Sequence, residues 1–219
     1  MHFKTCEICG IKTVYLVIMI FSNCSCSFLL IDMISEALLP LKYGGAEIGV
    51  LILNTDGHIT LQALTTSLQS KLTSRCNPTC DDNAQILKDM LQNLYILDIF
   101  DATQLYTTVQ NLENVLTKHS NISLCIVDTL TAFYWSEQRF KITKMDVYLK
   151  NLLRIILKAV QGHELIILYT RPEYFGSSKK ILENLEAWIR HHSRYKDLGM
   201  IILISDQHYN AKQAKFINE

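Results

Sequence analysis

Short apolar runs alternate with stretches of helical spacing along most of this chain. Val14–Phe21 is a continuous run of strand length, and Phe28, Ile31, Ile34, Ser35 and Leu38 then recur at helical spacing until Pro40. Gly44-Gly45 turns the chain into a second run, Ile48–Leu53. Leu61, Leu64, Leu68 and Leu72 line one face of a helix that Asn77-Pro78 ends, and Ile86, Leu87, Met90 and Leu91 predict another. Leu94–Ile99 predicts a third strand, and Leu105, Val109, Leu112 and Leu116 mark one helix after it. Ile122–Val127 is a fourth strand, apolar except at Ser123. Met145, Leu149, Leu152, Ile156 and Val160 form a long amphipathic helix with Gly162 placed at its C′ position. Leu165–Leu168, a helix carrying Leu182, Leu185, Trp188 and Ile189, and Met200–Ile204 complete the series.

Strands that are apolar throughout and alternate with helices predict an α/β fold, a mostly parallel central sheet with helices on both faces. The pattern divides the 219 residues into a lead-in over 1–13, one core domain over 14–206 and a tail over 207–219. Lys4 and Lys12 before Val14–Phe21, with small residues after it, imitate a secretory signal, but the run is too short to span a bilayer. The alternation makes it the first strand, and no membrane association is expected.

Composition narrows the classes. With 49% hydrophobic residues and only short charge runs, the chain can bury a core and is no disordered tail. The 21 basic and 21 acidic residues cancel, which argues against a surface steered to nucleic acid. The cancellation hides a split: residues 1–138 hold 7 Lys/Arg against 13 Asp/Glu, or −6, and residues 139–219 hold 14 against 8, or +6. Cys6 and Cys9 make a CxxC, but no second pair follows at zinc-ribbon or finger spacing, so no metal site is expected. Seven scattered cysteines suit a reducing compartment.

In open α/β sheets ligands gather at the C-terminal ends of the strands. Those ends read Ser22–Ser27, Asn54-Thr55-Asp56, Asp98 with Asp101, Asp128-Thr129, Thr170-Arg171 and Ser205-Asp206. Carboxylates and hydroxyls there suit a Mg–nucleotide site, although strand ends exit to solvent and are commonly polar. A phosphate loop requires G-x-x-x-x-G-K-[ST] between a strand and a helix. Gly44 to Gly49 has the glycine spacing but runs into a strand with no lysine. The first strand–helix junction instead reads Ser22-Asn23-Cys24-Ser25-Cys26-Ser27, with no glycine to open the backbone and no lysine to neutralise a phosphate.

Several segments resemble the eukaryotic RecA-type recombinase paralogues. Ser123–Trp135, with Ala132-Phe133-Tyr134-Trp135 after the strand, resembles their Walker B segment. Leu39-Pro40 through Leu51–His58 resembles their second strand and its Asp-Thr-Asp turn, and Gly10-Ile11-Lys12-Thr13 resembles the Gly-Ile-Glu-Thr before their first strand. The resemblance runs from about Gly10 to about Ser205 and implies a RecA-like P-loop NTPase core whose P-loop is degenerate. It matches Asp128 to the Mg-supporting carboxylate, with Thr129 beside it, Asp56 to the water-activating position and Ser27 to the P-loop hydroxyl. Cys26 stands where the lysine belongs, Ser25 where a glycine does, and Arg171 near the γ-phosphate-sensing glutamine. ATP and Mg are therefore the only cofactors in view, and hydrolysis is not expected.

The resemblance further implies a nuclear protein of homologous-recombination repair of double-strand breaks, assembled with other recombinase paralogues in a hetero-oligomer. The alternatives are an ATP-dependent DNA-binding subunit with residual nucleotide binding, and an unrelated α/β binding module. Phe133, Tyr134 and Trp135 are candidates for a partner interface, since no basic residue interleaves before Arg139. Arg190, Arg194 and Lys196 form the densest basic patch, the candidate for weak contact with single-stranded or branched DNA.

Overall fold

The computed structural model describes residues 14–21, 26–75, 83–139, 142–172, 198–205 and 215–216. The helix expected around Leu182–Ile189, the Arg190–Lys196 patch, the Ser22–Ser25 loop and the Cys6/Cys9 pair lie outside the described residues. The elements run β1 (Val14–Phe21), α1 (Cys26–Leu38), β2 (Gly49–Asn54), α2 (Leu61–Arg75), α3 (Asn83–Gln92) and β3 (Leu94–Asp98). They continue α4 (Ala102–Gln110), α5 (Leu112–Lys118), β4 (Ile122–Asp128), α6 (Tyr134–Glu137), α7 (Met145–Ala159), β5 (Leu165–Pro172), β6 (Leu198–Ser205) and β7 (Lys215–Phe216).

The seven strands form one sheet in the order β3-β2-β4-β5-β1-β6-β7. Every neighbouring pair is parallel except β6 with β7, so this is the mostly parallel α/β sheet that the apolar runs predict. One strand, β5, separates β1 from β4, so its C-terminal end lies between the ends of those two strands.

The pleat sends successive side chains to opposite faces, and each face meets its own helices. Leu51, Leu53, Cys125, Val127, Ile167 and Tyr169 pack with α4, α5 and α7. Val50, Ile52, Leu124, Ile126 and Leu168 pack with α1, α2 and α3. Strand β2 is buried at all six positions, which is why it reads as an unbroken apolar run rather than an alternation. Burial also pushes the Cys125 thiol up to about 12, leaving it a small hydrophobe. Across α1 and α2, Lys71 pairs with Asp32 at 2.6 Å and Glu36 at 2.5 Å, and Arg75 pairs with Glu36 at 2.6 Å.

Local chemistry explains where the structure departs from the apolar periodicity. The single helix expected over Leu105–Leu116 is broken at Asn111, whose Nδ2 donates to the Thr107 carbonyl at 2.8 Å and competes with the main-chain ladder. After α7 the left-handed glycine, Gly162 (φ 96°), stands two residues beyond the cap Val160, one place later than expected. Gly49 opens β2 because its N–H donates to the Asn121 carbonyl at 2.9 Å, and a Cβ there would lie 2.7 Å from that oxygen. This close approach gives the Gly44/Gly49 spacing a purely structural use.

Leu152 is fully buried on α7, whereas Ile142 just before α7 is 94% exposed. Leu152→Ala is expected to cost about 2–5 kcal/mol in urea unfolding, and Ile142→Ala less than about 0.5 kcal/mol.

Candidate nucleotide-binding site

The C-terminal ends of β3, β2, β4 and β5 place Asp98, Asn54, Asp128 and Thr170 side by side. Register pairs Asn54 with Asp98 on one side and with Asp128 on the other, while Val127 pairs with Tyr169. An apolar strand interior leaves these ends as the first positions where a polar group can reach a partner. Asn54 Nδ2 donates to Asp98 Oδ1 at 2.7 Å and to the Ile59 carbonyl at 3.2 Å, fixing the loop after β2.

The turn after β2 folds over the end of β4. The Thr55 and Asp56 N–H groups both donate to the Asp128 carbonyl, at 2.7 and 3.2 Å, and Thr55 Oγ1 donates to the Thr129 carbonyl at 2.8 Å. On the other side, Thr129 Oγ1 and Leu130 N donate to the Thr170 carbonyl, at 2.8 and 3.1 Å. The Asp128–Thr129 peptide is cis. Asp56 lies at the surface with His58 Nδ1 3.1 Å from its carboxylate.

Asp128 is 3% exposed. Thr170 Oγ1 donates to its Oδ1 at 2.6 Å, and its Oδ2 is buried with no hydrogen-bond partner. Burial is the main cause that raises its pKa, the Asp56 charge adds to the rise, and the Thr170 bond and His58 oppose it. The sequence places Thr55 and Thr170 only among the polar strand ends and gives neither a partner; the bonds to the Thr129 carbonyl and to Asp128 Oδ1 come from the fold.

A buried carboxylate oxygen without a donor, with a second carboxylate close by, suits the water shell of a divalent cation. The phosphate side does not fit. Ser27 is half-buried in the first turn of α1 and Cys26 begins that helix, and the segment Ser22–Cys26 holds neither glycine nor lysine. Among the described residues no three His, Cys, Asp or Glu side chains converge on a metal position. The residues present therefore do not complete a Mg–nucleotide site, and no chemical step is derived through one.

The aromatic run after β4 divides. Tyr134 is buried, its ring 5.4 Å from Tyr148 in an edge-on contact, and its hydroxyl donates to the Thr143 carbonyl at 2.8 Å. Phe133 is half-buried against the core, and Trp135 is 62% exposed. Only Trp135 of the three presents a large surface. No described helix is long and apolar enough to cross a membrane.

Two substitutions test the carboxylate. A carboxyl whose folded pKa is raised holds its proton more tightly folded than unfolded, so its ionisation lowers stability as pH rises above the ordinary value of 3.8. Asp128→Asn is expected to melt above the parent at about pH 7, with the gap closing towards about pH 4. Thr170→Val removes the donor to Oδ1 and is expected to cost about 1.5–3 kcal/mol at neutral pH. Thermal scans across pH check both, and an Asn variant less stable than the parent at neutral pH would show that the ionised form is compensated.

No protein-family model matches the chain. Over 110 residues the chain is 29% identical to the DNA repair protein XRCC2 of Mus musculus. That stretch is 50% of this chain and spans 37% of the length of its relative.

Proposed function

We propose that the chain is a nuclear, non-hydrolysing assembly subunit of homologous-recombination repair of DNA breaks, working in a hetero-oligomer with recombinase paralogues. The observation that carries this reading is Asp128, buried at the end of its strand, in a chain whose first strand–helix junction lacks in sequence the glycine and lysine of a phosphate cradle. A similarity to a DNA repair protein, and the resemblance of Ser123–Trp135 to a recombinase Walker B segment, support the repair assignment. Exposed Trp135 and half-buried Phe133 support a protein partner at this end of the sheet. Residual nucleotide binding is the second reading, favoured by the orphaned Oδ2 of Asp128.

Phosphate release in the presence of single-stranded DNA is expected to stay at background. Turnover that disappears in Asp128→Ala would overturn the non-hydrolysing assignment. Thermal stabilisation by Mg–ATP at high excess, about 2.7 kcal/mol at a hundredfold over Kd, would promote the second reading.

Retention of co-expressed paralogues is expected to fall at least about tenfold in Trp135→Ala. Direct DNA binding is expected to be weak, and the double variant Arg190→Ala with Arg194→Ala to lower only that signal. Its affinity should decline by roughly one log–log unit of salt per phosphate contact. Tight, salt-steep DNA binding by the isolated chain, with assembly indifferent to Trp135, would favour a DNA-binding subunit instead.

A further inference from the structure

A second cluster of titratable side chains lies under the segment that follows β4. Glu137 closes α6, Tyr106 stands on α4 and Tyr148 on α7, so one carboxyl and two phenols meet where three helices converge. Glu137 Oε2 accepts from the Tyr106 hydroxyl at 3.5 Å, a long bond. The other oxygen, Oε1, is cut off from solvent and has no hydrogen-bond partner among the described residues. The same holds for the Tyr148 hydroxyl. Buried side-chain oxygens are bonded in the large majority of cases, so two orphans in one cluster call for a cause.

The arrangement suits a protonated carboxyl better than a carboxylate. An ionised carboxyl only accepts, so Oε1 would carry charge in the interior with no donor to it. A protonated carboxyl is neutral and brings an O–H of its own. Burial, opposed only by the Tyr106 bond, raises the Glu137 pKa above its ordinary 4.5. Burial first, and the Glu137 charge second, also raise the pKa of Tyr106, and burial, the Glu137 charge and Tyr106 raise that of Tyr148, so both phenols stay uncharged. Among the described residues no lysine or arginine pairs with Glu137, and Arg139 and Lys144 on the same segment are exposed.

What Glu137 holds is light. Helix α6 has four residues and no side-chain cap at its N-terminus. Gln138 and Thr143 tie the segment to itself: Gln138 Nε2 donates to the Thr143 carbonyl at 2.9 Å, and the Thr143 N–H donates back to Gln138 Oε1 at 2.9 Å. Its ties to α4 and α7 include the Glu137–Tyr106 bond and the edge-on contact of Tyr134 with Tyr148. Trp135, two residues before Glu137, rides on this helix with its ring 5.0 Å from that of Tyr134.

We propose that Glu137, set against the phenols of Tyr106 and Tyr148, is a proton-operated latch on the segment after β4. With Glu137 protonated, α6 is clamped against α4 and α7. When the proton leaves to solvent, the carboxylate turns out towards water and α6 loosens, which changes the setting of Trp135. The closed form holds the proton more tightly than the open one, so the latch is shut at low pH and opens as pH rises above 4.5.

The full chain carrying Trp188→Phe leaves Trp135 as the sole tryptophan, and acrylamide quenching reads its exposure. Quenching is expected to rise by about a third in a one-proton step with its midpoint above 4.5, while far-ultraviolet circular dichroism stays unchanged. In the chain without that substitution, amide exchange over Trp135–Gln138 is expected to quicken about tenfold across the same step. Glu137→Gln, neutral at every pH, should abolish both changes. Tyr106→Phe removes the donor that favours the ionised form, so the midpoint should move upward by roughly half a unit. A flat profile, or a step that survives Glu137→Gln, overturns the latch. Should Glu137→Gln not fold, Tyr106→Phe decides alone, because an unmoved midpoint overturns it as well.

Discussion

The structure depends on one constraint: the central strands are covered by helices on both faces, so their length is almost wholly apolar. Leu51, Ile52, Leu53, Cys125, Ile126 and Val127 are all fully buried, and the polar side chains Asn54, Asp128 and Thr170 stand at the strand ends. Parallel order then puts four of those ends, from Asp98 to Thr170, on one line. The candidate site follows from that crowding.

Asp128 shows how the two halves of such a site can separate physically. Its main-chain carbonyl accepts from the N–H groups of Thr55 and Asp56, and two residues on the Leu130 N–H donates to the Thr170 carbonyl, none of which requires a nucleotide. The placement of the carboxylate therefore does not depend on the sequence of the strand–helix junction after β1. Asp128 is a carboxyl whose neutral form burial favours, with Thr170 as the side-chain donor to it among the described residues.

Much of the fold was legible because its signal is periodic. Six apolar runs match six strands, and α2 ends at Arg75 before the expected break at Asn77-Pro78, which lies outside the described residues. Features ruled by a single side chain were not legible: Asn111 splitting a helix, Gly49 closing on Asn121, and the four-residue α6, too short to show a period. The carboxylates at the strand ends were visible as residue types, but their bonding was not, because Thr170 meets Asp128 only through register between strands 42 residues apart. Tyr134 illustrates the same limit. Its neighbours Phe133 and Trp135 differ from it in burial although all three read alike as aromatics.

The crosswise bonds at the rim have a mechanical meaning. Thr55 grips the main chain after β4, and Thr129 grips the main chain of β5, so three neighbouring strand ends are laced hydroxyl to carbonyl in a chain. Such lacing turns the rim into a plate rather than a set of independent loops. A push on the turn after β2 would be felt at Thr170, next to the strand pair Met19–Thr170 that joins β5 to β1, without any helix having to move.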